Sequence, residues 1–422
     1  MSQNTFRKNV ITLMMGTTIA QALPLAFMPI ITRLYTPDDF GVFAIFVALA
    51  TILGAIATAR YEMAILLPKK EIDAINISAL SFLILSVFCI LILIIVLLFN
   101  EPLSKLLGNA QISLWLYFLP ITLFFIGIFN ILTMLNNREK NYAIISKATI
   151  LKSVILVSSQ LLIGCLKSGA TGLISGQILS HLFANMGLAK GIIKDRAFFN
   201  TIKKEKMINL AKEHKNFAIF QTPHALINAL SSNVPIYMFS SFFTMSVVGF
   251  YAFSLRIVFT PLSILSSSVA KVYNQKVVEA YHNGEDSYQL TKVLLIKVTK
   301  TMIVPFLIII IFAPQIFAFV FGENWREAGI YTQITSPFLF LNLLVSSISF
   351  IPSLVGKQKK ALIVSIIHLI FSVLFILIGV YFKNIYLSLG LFTLMYSMIL
   401  WYNLNWMLKE LRVRCVAKKD IK

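Results

Sequence analysis

Three basic side chains, Arg60, Lys152 and Arg256, fall inside long apolar stretches of this chain. Even the lower estimates put a centred Lys or Arg at about 2.5 to 3.5 kcal/mol against membrane insertion, so such a residue either reaches water from a helix end or serves a site. Lys152 sits about ten residues into its stretch, roughly 15 Å deep at the rise of an α-helix. Arg256 is about seven residues in from the other side, and Arg60 about twenty residues into the second stretch, near its inner end. For Lys152 and Arg256 the reading is a water-filled path that receives an anionic group. Arg33, Lys147, Lys297 and Lys300 stand nearer helix ends, where snorkelling is the simpler account. Arg60 and Glu62 are close enough to neutralise one another in part, yet residues two apart on a helix point to different faces, so both readings stand.

The acids are placed differently. Asp38, Asp39, Glu323 and Glu327 fall in loops, Glu62 falls near the inner end of its stretch, and no carboxylate is expected at a bilayer centre. A cation exporter normally keeps an acid there for its substrate, H⁺ or Na⁺. Buried cations without a buried acid indicate a negative cargo, whose exit a potential negative inside favours by about 2.3 kcal/mol per charge per 100 mV. Other chemistry lacks its residues. There is no Walker A sequence, no dinucleotide glycine pattern and no paired metal-binding histidines, so neither an enzyme nor a cofactor or metal site is expected. His224 and His368 are single and read as interhelical hydrogen-bond partners. Cys89, Cys165 and Cys415 lack any pairing or metal spacing.

The elements that must hold these residues are membrane helices. Hydrophobic residues make up 58% of the 422 and charged ones 13%, which excludes a soluble globular domain. Apolar runs long enough to cross about 30 Å of hydrocarbon recur throughout, and in lipid each must be helical. Spans are expected near 10–33, 40–67, 74–99, 111–135, 142–166, 170–189, 217–243, 247–271, 293–321, 329–352, 361–382 and 385–408. Basic residues concentrate in alternate loops, at Arg7 and Lys8, Lys69 and Lys70, Arg138 and Lys140, Lys190 to Lys215, Lys271 to Lys292, Lys357 to Lys360, and from Lys409 onward. The opposite loops carry few: Arg33, Lys105, Lys167, Arg326 and Lys383. The positive-inside rule therefore places both termini in the cytoplasm, and the net charge of +20 is mostly topology rather than a nucleic-acid footprint.

The expected fold is an all-α integral membrane protein of about twelve transmembrane helices, in two six-helix pseudo-symmetric halves around a central cavity. The halves are residues 1–190 and 216–422, with a basic cytoplasmic linker at 191–215. A repeat is visible: Phe40-Gly41-Val42-Phe43-Ala44 resembles Val248-Gly249-Phe250-Tyr251-Ala252, and Pro29 falls near the place matched by Pro235. Halves with an even number of spans share orientation, which suits alternating access. The positions matching Arg60 and Arg256 are near Ser268 and Ala48, so the cations are not repeated. Pro29 and Pro235 either form matching gates or are tolerated kinks. Gly172 and Gly176 have a helix-packing spacing, and Trp325, Trp401 and Tyr402 read as interfacial anchors.

The run Ile31-Thr32-Arg33-Leu34-Tyr35-Thr36-Pro37-Asp38-Asp39-Phe40-Gly41 resembles the signature of the polysaccharide biosynthesis proteins that include bacterial O-antigen flippases. Phe321-Gly322-Glu323-Asn324-Trp325-Arg326-Glu327-Ala328-Gly329 is similar to their late loop, and Gly356-Lys357-Gln358 to the next cytoplasmic turn. The resemblance implies a flippase of the multidrug/oligosaccharidyl-lipid/polysaccharide exporter superfamily in the bacterial inner membrane. Its cargo would be an undecaprenyl-pyrophosphate-linked oligosaccharide among membrane lipids. Glycosyltransferases, a polysaccharide polymerase and a chain-length regulator are the partners so implied. Related lipid II flippases place arginines at positions matched by Arg33, Arg60 and Arg256. A multidrug exporter of the same superfamily, or a non-transporting scaffold for glycan assembly, are the rival expectations.

Overall fold

A computed structural model describes residues 3–166, 169–193, 201–283 and 286–419. Lys167 and the part of the basic linker at 194–200 lie outside the described residues, and helix is the regular structure throughout the rest. Helices α1 (Gln3–Ala26) and α2 (Met28–Leu34) meet at a bend of 40°, and from Thr12 onward the pair together is long and apolar enough to cross a membrane. Pro29 lies in the first turn of α2, where its missing N–H leaves no bond unmade. Then follow α3 (Pro37–Gly54), the short α4 (Tyr61–Ala64), α5 (Glu71–Leu106), the short α6 (Ile112–Leu116), α7 (Leu119–Arg138), α8 (Tyr142–Gly164) and α9 (Thr171–Ile193). The amphipathic α10 (Lys204–Glu213) precedes α11 (Thr222–Phe242), α12 (Met245–Asn283) and α13 (Ser287–Phe321). The chain closes with α14 (Arg326–Ser347), the short α15 (Ile351–Leu354), α16 (Gln358–Tyr381) and α17 (Ile385–Lys419).

Among the described residues, nine helical segments are long and apolar enough to cross a membrane, or ten with the α1/α2 pair. Helices α9 and α11 bring the span-length segments to the expected twelve, with 23 and 21 residues. They are less apolar because they carry Gln177, His181 and Asn185, and His224, Asn228 and Asn233.

The second span departs from expectation. It is not one helix over 40–67: α3 ends at Gly54, residues 55–60 turn, and Ala59 and Arg60 have φ of 47° and 61°. Arg60 is thus in left-handed backbone, which L-residues seldom adopt.

The chain packs as two compact units, Met1–Gly249 and Phe250–Lys422. In the first, α8 packs on α1 and α9, α7 on α5 and α9, and α11 on α3. The signature run builds the start of α3. Thr36 caps the helix reciprocally with Asp39, Pro37 opens it, and the Tyr35 hydroxyl donates to the Gln160 carbonyl at 2.6 Å.

Here too the two repeat glycines meet. A Cβ on Gly41 would lie 2.2 Å from the Met245 carbonyl oxygen, and one on Gly249 1.9 Å from that of Pro37. Ser246 donates to Asp38 Oδ1 at 2.8 Å across the same 208-residue offset. Under an offset of 208 residues Gly41 matches Gly249 and Pro37 matches Met245, so the two glycine contacts are reciprocal in the way a two-fold contact is, and Asp38 meets its own counterpart Ser246. Gly172 is likewise a packing residue, since a Cβ there would lie 1.9 Å from the Tyr35 hydroxyl oxygen.

In the second unit α14 packs on α13 and α17, and α17 on α16. Trp325 is not an interfacial anchor. It is 1% exposed, tilted on Phe253 at 4.3 Å and edge-on to Phe250 at 6.1 Å. Gly322, at φ 103°, makes the turn that carries the late loop into this aromatic cluster.

Candidate functional site

Lys152 projects from the middle of α8 and is partly buried. Its Nζ lies 4.8 Å from the ring centroid of Phe129 on α7, a cation–π distance. Phe129 in turn meets His181 of α9 edge-on at 5.8 Å, and His181 Nδ1 is 3.0 Å from the Gln177 carbonyl oxygen. Beside Lys152, the Ser153 hydroxyl donates to the Ala20 carbonyl of α1 at 2.7 Å. Contacts from α1, α7 and α9 thus gather around this part of α8. Among the described residues Lys152 has no carboxylate within ion-pair distance. Buried polar atoms without a hydrogen-bond partner stand close by in sequence: Gln21 Oε1 after Ala20, Thr133 Oγ1 a turn beyond Phe129, and Asn185 Oδ1 a turn beyond His181. A buried acceptor or hydroxyl left unmade is costly, and such groups commonly mark a hydrated or ligand-binding interior.

Arg60 is arranged otherwise. Its NH1 lies 3.6 Å from Glu62 Oε1, with the arginine side chain 27% and the glutamate side chain 5% exposed. The Thr58 hydroxyl donates to the other carboxylate oxygen of Glu62. The helical-face argument against this pair fails because the backbone is left-handed at Arg60, which swings the two side chains to one side. Glu62 is 3% exposed, so the chain does bury an acid, at the break of the second span.

That break is fastened from outside. The Tyr61 hydroxyl donates to the Ala211 carbonyl at 2.9 Å, and Arg138 donates to the Ile65, Lys69 and Lys70 carbonyls at 3.0, 3.4 and 3.4 Å. By sequence Arg138 is only a topogenic loop charge; in the fold its guanidinium ties the Ile65 carbonyl, just past α4, to the chain at the start of α5. Next to it, burial and the neighbouring Glu71 raise the Glu139 carboxyl above its usual range, against a hydrogen bond from Asn141.

Arg33 is exposed in the last turn of α2, and Pro235 is buried inside α11. Arg256 belongs to the second unit, partly buried on α12. His368 in that unit stacks on Tyr396 at 4.0 Å, with no hydrogen-bond partner for Nε2. The structure therefore joins Arg60 to Glu62, and Lys152 to Phe129, which His181 meets in turn. The role of His181 could not be found from sequence, because its neighbours come from three helices.

Residues 30–330 match the family profile described as polysaccharide biosynthesis protein. The chain belongs to that family. A comparison with curated protein sequences finds no match. This polysaccharide biosynthesis protein is similar in fold to the lipid II flippase MurJ in an inward closed conformation, with a TM-score of 0.74 at 14% identity over 97% of this chain and 90% of that one. It is also similar to a multidrug resistance MATE family transporter of the MOP superfamily in an outward-facing conformation, with a TM-score of 0.59 at 16% identity over 98% and 96% of the two chains. A MOP superfamily transporter from Pyrococcus furiosus, described as having a binding pocket of reverse polarity, aligns with a TM-score of 0.58 at 15% identity over 98% and 96%. At such identities the likeness establishes the fold. The family member is a multi-pass membrane protein with the fold of MOP superfamily transporters.

Proposed function

We propose that the protein is a flippase. It carries an undecaprenyl-pyrophosphate-linked oligosaccharide, the repeat unit of O-antigen or a similar surface polysaccharide, from the cytoplasmic to the periplasmic leaflet of the bacterial inner membrane. The observation that carries this reading is Lys152, a partly buried cation set over the Phe129 ring with no carboxylate within ion-pair distance among the described residues. In a family of polysaccharide biosynthesis, the anion that fits such a cation is a pyrophosphate. Lys152, Arg256, Arg33 and Arg60 are the cations assigned to its path, Arg60 with its charge partly offset by Glu62. The sugars occupy hydrated space and the polyprenyl chain stays in lipid.

Alternating access between two six-span halves, both termini cytoplasmic, is the transport cycle we assign. The reciprocal contact of Gly41 with Met245 and Gly249 with Pro37 supports the repeat on which it rests. Pro29 and Pro235 are the assigned hinges. A polysaccharide polymerase and a chain-length regulator would receive the product.

One observation favours the multidrug-exporter reading, namely the buried Glu62. Against it, that acid is already held by Arg60 and Thr58. Depletion of the protein in its host decides between them. The flippase reading expects loss of surface polysaccharide and accumulation of lipid-linked oligosaccharide facing the cytoplasm. Unchanged glycan with new sensitivity to cationic drugs would overturn it.

A further inference from the structure

We propose that the groove between α10 and α5 is a binding site for an anionic phospholipid of the cytoplasmic leaflet. Helix α10 is fastened along one face. Lys206 pairs with Asp73 at 3.4 Å, the Lys203 N–H donates to Asn76 Oδ1 at 2.8 Å, Tyr61 reaches the Ala211 carbonyl at 2.9 Å, and Leu210 is buried. Its other face is left open as a groove of about 390 Å³. The walls are apolar, formed by Leu80 and Leu83 of α5 with Met207 and Ile208 of α10, and Leu83 and Ile208 are 52% and 45% exposed.

Lys204, Lys212 and Lys215 line the same groove, and all three are exposed. Among the described residues none of the three makes an ion pair, whereas Lys206 on the fastened face does. Lys204, Ile208 and Lys212 recur every four residues along α10, and Lys215 follows just past its end, so the three ammonium groups border the apolar floor. Of the acids on α10, Glu213 stands 4.0 Å from His214 and Glu205 is exposed beside Lys204, so five lysines over 203–215 outweigh two glutamates.

An apolar channel rimmed by one sign of charge fits an amphiphile of the opposite sign: acyl chains along Leu80 and Leu83, phosphate on the lysines. The groove adjoins the first turns of α5, which follow Lys69 and Lys70 and which the charge distribution assigns to the cytoplasmic side. An anionic phospholipid of that leaflet meets both halves of the chemistry. A zwitterionic one meets only the apolar half.

The test is native mass spectrometry of the purified full chain in detergent, titrated with phosphatidylglycerol or phosphatidylethanolamine. Phosphatidylglycerol should bind in preference. Lys204→Gln, Lys212→Gln and Lys215→Gln together should weaken that binding by at least about ten-fold, given roughly five-fold per lysine near an anionic headgroup. Leu83→Trp, which fills the groove and leaves the lysines in place, should also remove it. A control triple, Lys70→Gln, Lys357→Gln and Lys359→Gln, should not. Equal binding of the two lipids, equal loss in the control, or full binding to Leu83→Trp would each overturn the site. None of these readouts depends on flipping.

Discussion

At Lys152 the energies do not balance within the described surroundings. A cation over an aromatic ring gains about 0.5 to 2 kcal/mol, while holding a lysine deep in a span costs about 2.5 to 3.5 kcal/mol. The shortfall is what an anionic cargo would supply. Lys152→Ala should therefore lower flipping by about ten-fold or more, the value of a charge-assisted contact, with the protein still in the membrane. Lys152→Arg should retain most activity. Turnover of lipid-linked oligosaccharide in complemented cells measures both. Arg60 and Glu62 make the opposite kind of statement. Glu62→Gln should cost about 1 to 3 kcal/mol, less than for a fully buried pair because the arginine reaches solvent. Removing both charges should restore part of that loss, which thermal unfolding of the two single variants and the double variant reads as a coupling energy. The sequence marked Lys152, Arg60 and Glu62 as unusual through their setting alone. It left the pairing of the last two undecided, because that pairing depends on a left-handed residue that no propensity announces.

The helices follow from elementary rules: apolar length, a proline in the first turn of α2 and of α3, and a Thr36–Asp39 capping box at the start of α3. The breaks do not. No proline or glycine stands among residues 55–60, where the second span turns, and the segment that follows is held to distant parts of the chain by Tyr61, bonded to Ala211, and by Arg138, bonded to Ile65. The starts of α3 and α12 meet at backbone distance, and the glycines recognised as a repeat prove to be a steric requirement. If this contact must part during transport, Asp38→Cys with Ser246→Cys, in a background lacking Cys89, Cys165 and Cys415, should form a disulfide from side chains now hydrogen-bonded at 2.8 Å. Oxidation should then stop flipping and reduction restore it. Unimpaired flipping by the oxidised protein would show that the contact is static.

For the whole molecule, composition and the alternation of basic loops lead to one topology. A reporter that is active only outside the cytoplasm should be silent when fused after Arg412 and active when inserted beside Glu323 in the turn between α13 and α14; the reverse pattern would invert the topology. By itself the sequence determined that the chain is a multi-span helical membrane protein, which surfaces carry positive charge, that a repeat is present, and that cations rather than paired acids stand out in its spans. These follow from the bilayer acting as solvent on each segment separately, so local composition suffices. Only the tertiary structure decided that Lys152 meets Phe129 and Phe129 meets His181, that Glu62 answers Arg60, that Trp325 is buried, and that α10 folds along α5 to leave a basic-rimmed groove. Each of these brings together residues far apart in the chain or backbone in an uncommon conformation, and short-range pattern carries no information about either.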